Sequence, residues 1–207
     1  MNQHAKFWDR IAEKYFNKSV KNPPIYQKKL LIIEQLLTSS SRVLEVGCGT
    51  GSTALHLANQ VGQYDAYDFS KNMIRIASHR ASEANIINIK FKAADVEVLK
   101  SPRGNYDVVM AHSVLHLIDN AERVVENMLN GLKDGGYIVL SLVMLNKLPM
   151  PLRALLMLGS KLGVIPHLVF KGHDDLLSLL SSKEFRTHTS LRVDKHNLFL
   201  VVQKMGQ

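Results

Sequence analysis

The residues best placed to do chemistry begin in Val43-Leu44-Glu45-Val46-Gly47-Cys48-Gly49-Thr50-Gly51, where an apolar run meets Gly at every second position. Glycine tolerates positive φ and lets a ligand approach the backbone without a Cβ clash. The stretch from Ser52 to Gln60 then reads as helix, and its first N–H groups would face a polar or negative ligand group. Such a strand–loop–helix marks the nucleotide-binding edge of an open α/β sheet. A dinucleotide fingerprint needs a third Gly or an Ala where Ser52 stands, and no Gly-Lys-Ser/Thr follows for a P-loop. Two carboxylates extend the pattern. Asp68, in Tyr67-Asp68-Phe69-Ser70, can accept hydrogen bonds from both hydroxyls of a ribose, while Ser70 suits the neighbouring helix cap. Asp95, in Ala93-Ala94-Asp95-Val96, can accept from an exocyclic adenine amine.

His112 and His116 are the candidates for proton transfer or for positioning a second reactant. They share a face if the chain turns helical after the strand that ends near Ala111. A packed or solvent-facing histidine is the alternative at each position. Cys48 is the only cysteine, so no intrachain disulfide forms. With no basic residue beside it to generate a thiolate, it reads as a small loop residue. No set of ligands stands at a convincing metal spacing, and none is expected to bind a metal.

The elements that position these groups alternate. Short β-branched runs at 42–46, 63–67, 89–92, 106–111 and 137–141 read as buried strands. Between them Met73, Ile74 and Ala77 follow Ser70 at helical spacing. Asp119 and Glu122 form a D-x-x-E start before Ala121, Val124, Val125, Met128, Leu129 and Leu132, and Gly135-Gly136 is read as ending that helix. This alternation implies a mostly parallel sheet covered on both faces. Arg186–Val193 and Asn197–Gln203 are joined too closely for a parallel crossover, so they form an antiparallel pair. Ahead of the first strand, Phe7, Ile11 and Tyr15 recur at four-residue intervals, and a second helix is read at about Tyr26 to Leu37.

The 207 residues, 46% hydrophobic and 21% charged, fit one globular domain with loose ends at Met1–Lys6 and Lys204–Gln207. The net charge is +8, but the basic residues are scattered, and a solvated basic face is favoured over a nucleic-acid surface. The segment Leu145–Phe170 is oily but broken by Lys147, Arg153, Lys161 and prolines, a poor bilayer span. No secretory signal opens the chain, so a cytoplasmic location is expected.

Taken as a set, Val43–Gly51, Asp68-Phe69-Ser70 with Met73, Ala94-Asp95-Val96, Tyr106–Leu117 and Leu132–Tyr137 resemble the class I S-adenosylmethionine-dependent methyltransferases, especially small bacterial ones related to ubiquinone and menaquinone C-methyltransferases. The resemblance begins at Phe7-Trp8-Asp9 and runs to the final strand. It implies a single Rossmann-like, doubly wound, seven-stranded α/β domain over 1–207, mostly parallel with an antiparallel final strand. Residues 1–40 would form a helical cap, and 145–172 a lid over the acceptor. S-adenosylmethionine would be the cofactor. Glu45 and Gly47, Cys48, Gly49 and Gly51 would face its methionine part, Asp68 its ribose, and Phe69 and Met73 its adenine. Ala94, Asp95 and Val96 would read the adenine edge, Ala111 and His112 would lie near the methionine amino group and methyl, and Tyr15 would cap the site.

The chain departs from its relatives in Glu184-Phe185, where Gly-Phe is common, and in Ala111-His112-Ser113-Val114, which replaces the Asn-Pro-Pro-Tyr/Phe of amino-methylating nucleic-acid enzymes. The implied partner is a small acceptor, apolar if the oily lid covers it; a plain core helix is an equal reading of this segment, and membrane-surface contact a further one. A non-catalytic cofactor-binding protein and an RNA methyltransferase stand as alternatives.

Overall fold

A computed structural model of the chain describes residues 3–18, 22–99, 101–170 and 174–206. Met1, Asn2, Gln207 and the last two residues of the expected lid, 171–172, lie outside them. The elements are α1 (Gln3–Phe16), α2 (Pro23–Glu34), β1 (Arg42–Val46), α3 (Ser52–Leu57), β2 (Gln63–Asp68), α4 (Lys71–Glu83), β3 (Ile89–Ala93) and β4 (Tyr106–His112). They continue with α5 (Ala121–Gly131), β5 (Leu132–Val143), α6 (Met150–Lys161), α7 (Asp174–Leu179), β6 (Phe185–Arg192) and β7 (Asn197–Lys204).

The seven strands lie in the order β3-β2-β1-β4-β5-β7-β6. The first five pair in parallel, and β7 runs antiparallel to both β5 and β6. The order reverses beside β1, which opens a crevice between the tips of β1 and β4, where open α/β sheets bind ligands. Strand alternation divides the core between two faces. Leu44, Val46, Val109, Ala111, Ile138 and Leu140 pack with α5 and α7 on one side. Val43, Val108, Met110, Val139 and Phe199 pack with Leu30 and Ile33 of α2 and Leu57 of α3 on the other.

Several boundaries differ from the sequence reading: α2, read at about Tyr26 to Leu37, runs Pro23–Glu34 instead, with its prolines in the first turn where no intrahelical N–H is needed. α5 ends at Gly131, and Leu132 already pairs with Tyr106, so Gly135-Gly136 lies inside β5. The cause is steric: a Cβ on Gly136 would stand 2.8 Å from the Asp107 carbonyl oxygen, so the backbones approach closely there. The N-cap of α5 is Asn120, without a side-chain cap bond, and Asp119 meets His167 Nε2 at 2.8 Å. Helix begins at Gln3 rather than after a loose end, because α1 lies along α4 with Ala12 against Met73 and Ile76.

Helix α6 is set apart, since none of its residues is buried. Met150, Leu155 and Leu158 are 71%, 65% and 55% exposed. It is therefore not a core helix. The segment around it is nonetheless anchored at both sides of the crevice. Arg10 of α1 donates to the Gly163 carbonyl at 3.0 Å, and Val169 N–H donates to the His116 carbonyl at 2.8 Å. Among the described residues no helix is long and apolar enough to cross a membrane.

Candidate functional site

The glycine loop is shaped by three left-handed residues, with φ of 75° at Gly47, 54° at Gly49 and 77° at Gly51. Each does something different. A Cβ on Gly47 would come within 2.5 Å of Val114, and one on Gly51 within 2.8 Å of Phe91, so these two let the loop pack. A Cβ on Gly49 would meet only the Tyr15 ring, at 4.0 Å. Gly49 is thus the member that lines open space, beneath the aromatic end of α1. Arg80 of α4 braces the loop from behind, donating to the Thr50 carbonyl at 2.6 Å and to Ser52 Oγ at 3.1 Å.

Asp68 ends β2 and points into the loop. Its Oδ2 accepts from Gly49 N–H and its Oδ1 from Ser70 N–H, each at 2.9 Å. The Phe69 N–H also faces the carboxylate, so of its roughly four lone-pair sites at least one remains for a ligand hydroxyl. Burial pushes the Asp68 carboxyl up to about 6, opposed by the N–H groups of Ser70 and Gly49 and assisted by the nearby charge of Asp9. Ser70 caps α4 by accepting from Met73 N–H at 3.1 Å, and its hydroxyl donates to Asp9 Oδ1 at 2.7 Å. Asp9 also accepts from Asn72 N–H at 2.9 Å. The N-terminal helix is therefore tied by polar bonds to the strand tip that carries Asp68.

Beside Asp68 lies a cavity of about 240 Å³ lined by Ala5, Asp9, Phe69, Lys71, Ala93, Ala94 and Asp95. Asp95 Oδ1 accepts from Glu97 N–H at 3.0 Å, and Val96 turns into the core. Met73 does not line this cavity. It is buried against Ala12 and Ile76 and serves the packing of α1 on α4.

Glu45 is 2% exposed and accepts from Tyr64 OH at 2.8 Å. Burial raises its carboxyl to about 7; the Tyr64 bond lowers it and the Asp68 charge raises it. Cys48 is buried, its thiol pushed well up by burial and by the charges of Asp68 and Glu45, which makes it inert at neutral pH.

Val46 pairs with Ala111 in the β1–β4 register, so Gly47, just past β1, stands level with His112, the last residue of β4. His112 and His116 do not share a helical face. Ser113 has φ of 52°, which breaks the chain direction, and His116 sits in a short 3₁₀ turn, Leu115–Leu117. His112 is held by groups that the sequence did not single out. Its Nδ1 lies 3.0 Å from Ser141 Oγ, which in turn accepts from Lys29 Nζ at 3.2 Å. The ring stacks on Phe199 at 6.4 Å, and burial, with the Lys29 charge, pushes the imidazole down to about 3. Among the described residues no three His, Cys, Asp or Glu side chains gather as a metal site.

Asp9, Arg80, Lys29 and Ser141 are the site-forming residues missed by sequence reasoning. Asp9 stood in the recognised Phe7-Trp8-Asp9 segment, but no spacing links a residue of α1 to the cap of α4. Ser141 is found only through the sheet register, which pairs it with His112.

Comparison with known proteins agrees with this geometry. A family model described as a methyltransferase domain matches residues 37–176. A ubiquinone biosynthesis O-methyltransferase of Coxiella burnetii is 28% identical over 143 residues, which cover 67% of this chain and 60% of that protein. The match thus spans less than two thirds of that relative. The N-methyltransferase NodS of Bradyrhizobium japonicum, solved with S-adenosyl-L-homocysteine, superposes with a TM-score of 0.70 at 15% identity, covering 98% of this chain and 99% of that one. The [4+2]-cyclase SpnF superposes with a TM-score of 0.70 at 19% identity, covering 87% of this chain and 82% of that one. One fold therefore carries different reactions, and the reaction must be argued from the site. With the sheet order, the glycine loop and the family match in agreement, the chain belongs to the methyltransferase-domain family and has the class I S-adenosylmethionine-dependent methyltransferase fold.

Proposed function

We propose that this protein transfers a methyl group from S-adenosylmethionine to a small, apolar molecule. The observation that carries the reading is the convergence of Gly49, Asp68 and the Phe69–Asp95 cavity along the tips of β1, β2 and β3. In this reading Asp68 receives the ribose hydroxyls while Phe69, Ala94 and Asp95 enclose the adenine. Gly47, Gly49 and the Ala111 tip border the methionine part, and Tyr15 closes over Gly49. Met73, Val96, Gly51 and Cys48 support these groups from the packing behind them. Burial holds the Glu45 and Asp68 carboxyls up at about 7 and about 6, and a ligand bearing sulfonium and ammonium charge would favour their ionised forms.

S-adenosylmethionine supplies a methyl carbon on a sulfonium whose leaving group is a neutral thioether, so no acid is required to expel it. The chain then has to hold nucleophile, methyl and sulfur in line, an arrangement worth up to about 7–11 kcal/mol in well-oriented systems. His112 stands level with Gly47 in the strand register, and in this reading that end of the crevice receives the acceptor. The segment 145–170 bridges from α1 to the β4 loop and serves as the lid, its exposed leucines and methionines facing an apolar acceptor or a membrane surface on which that acceptor resides. The Coxiella relative acts in ubiquinone biosynthesis by its name, which supports a ring-bearing acceptor here.

The test is calorimetric titration with S-adenosylhomocysteine, followed by assay of its production from S-adenosylmethionine with a panel of phenolic and quinol acceptors. Binding together with acceptor-dependent product supports the reading. Binding without product across acceptor classes points to a non-catalytic binder, and no binding removes the reading.

A further inference from the structure

The chain of contacts behind His112 has a direction. Ser141 reaches it from β5 and Phe199 from β7, and Lys29 of α2 reaches Ser141 behind it, so three separate elements converge around one imidazole. An ammonium group has three donors and no acceptor, so in the Lys29–Ser141 contact the serine oxygen accepts. The Lys29 ammonium lies 5.4 Å from the Phe199 ring centre, which holds it over the same apolar floor. Ser141 is buried at 5% exposure, and its hydroxyl proton must go to an acceptor. The acceptor in reach is His112 Nδ1, at 3.0 Å. A neutral imidazole that accepts at Nδ1 carries its proton on Nε2. That Nε2 is withdrawn from solvent and has no hydrogen-bond partner among the described residues.

We infer that the relay Lys29→Ser141→His112 locks His112 as an Nε2–H donor that binds an oxygen of the methyl acceptor, rather than as a base that removes its proton. This rests on the methyltransferase reading above and adds the acceptor's class to it. A polarised donor with a cation behind it selects a molecule whose oxygen is anionic or becomes so on binding, such as a phenol or an enol. The acceptor's proton then leaves to bulk solvent before the transfer. In the transfer step the acceptor anion forms a bond to the methyl carbon, and the S–C bond breaks with its electron pair passing to sulfur. No proton moves in that step, so His112 is not asked to gain one. This accords with its burial in an apolar, cation-flanked place that disfavours imidazolium.

The relay is read directly by long-range ¹H–¹⁵N correlation NMR on ¹⁵N-histidine-labelled protein at neutral pH, with His112 assigned through His112→Gln. The expected result is an unprotonated Nδ1 and a proton on Nε2. Ser141→Ala and Lys29→Met should remove this bias and mix the tautomers, while Ser141→Thr, which keeps the hydroxyl, restores it. A proton on Nδ1 with Nε2 bare in the wild type overturns the inference and returns His112 to the role of base. The acceptor assignment is tested by adding 4-nitrophenolate to the S-adenosylhomocysteine complex. The Nε2 proton should move, and it should move less in Ser141→Ala; a proton that stays put overturns the acceptor assignment. Failure of S-adenosylhomocysteine to bind would instead strike the methyltransferase reading, and the tautomer measurement on free protein keeps the two failures apart.

Discussion

Glu45→Gln is the perturbation whose size follows most directly from the structure. The carboxyl is 2% exposed, is hydrogen-bonded by Tyr64 OH at 2.8 Å and is raised from 4.5 to about 7, with burial the main cause. A raised folded value means that the folded state holds the proton more tightly than the unfolded chain. The associated stability is therefore fully present below about pH 4.5 and is lost as pH rises through about 7. At about 1.4 kcal/mol for each tenfold change in proton affinity, the loss is about 3 kcal/mol across that window. Glutamine still accepts from Tyr64 and never ionises, so the variant should lack this pH dependence. The wild type should thus lose about 3 kcal/mol relative to Glu45→Gln between pH 4.5 and 8, or roughly 6–12 °C in Tm for a domain of this size. Urea titrations of both ligand-free proteins at several pH values measure the difference. Parallel stability profiles would refute the reasoning, because they would mean that Glu45 pays no extra cost to ionise in the fold. A linked outcome concerns the ligand. If cationic S-adenosylmethionine draws Glu45 into its charged form, binding at pH 6 should release a proton in the wild type and release less in Glu45→Gln, as seen by calorimetry in buffers of different ionisation enthalpy.

Asp68→Ala removes the acceptor for Gly49 and Ser70 and the proposed ribose contact, and should weaken S-adenosylhomocysteine binding at least tenfold with the fold retained, measured by calorimetric titration and circular dichroism. Gly47→Ala should destabilise the protein by more than the ~1–2 kcal/mol of a left-handed alanine, because its Cβ also meets Val114 at 2.5 Å; thermal unfolding checks this, and Val114→Ala in the same chain should recover part of the loss. Gly49→Ala shares the left-handed penalty but has open space around its Cβ, so its loss of cofactor affinity should exceed that of any destabilised control with the same Tm. Replacing Leu155 and Leu158 by Ser should change stability by no more than about 0.5 kcal/mol each, since both are exposed. The same pair should alter acceptor preference while leaving S-adenosylhomocysteine affinity unchanged, and equal effects on both would count against a lid.

The order of strands and helices, the glycine loop and the acids at two strand tips were legible in the sequence because each is a local pattern. Alternating apolar runs report a sheet buried on both faces, and Gly47, Gly49 and Gly51 announce a backbone that must turn with positive φ wherever the rest of the chain lies. Boundaries were less legible where distant backbone decided them, as at Gly136, which is squeezed against the Asp107 carbonyl within β5. The surroundings of His112 were hidden for the same reason. His112 was visible as a histidine at a strand end, but its contacts with Ser141 and Phe199, and through Ser141 with Lys29, arise only from strand register and the docking of α2. Likewise Met73, which the resemblance set beside the adenine, is turned by α4 toward α1. Local sequence specifies which backbone can bend and which atoms can donate or accept. Only tertiary packing, by bringing separate elements within about 3 Å and excluding water from between them, decides which donor meets which acceptor and where each proton resides.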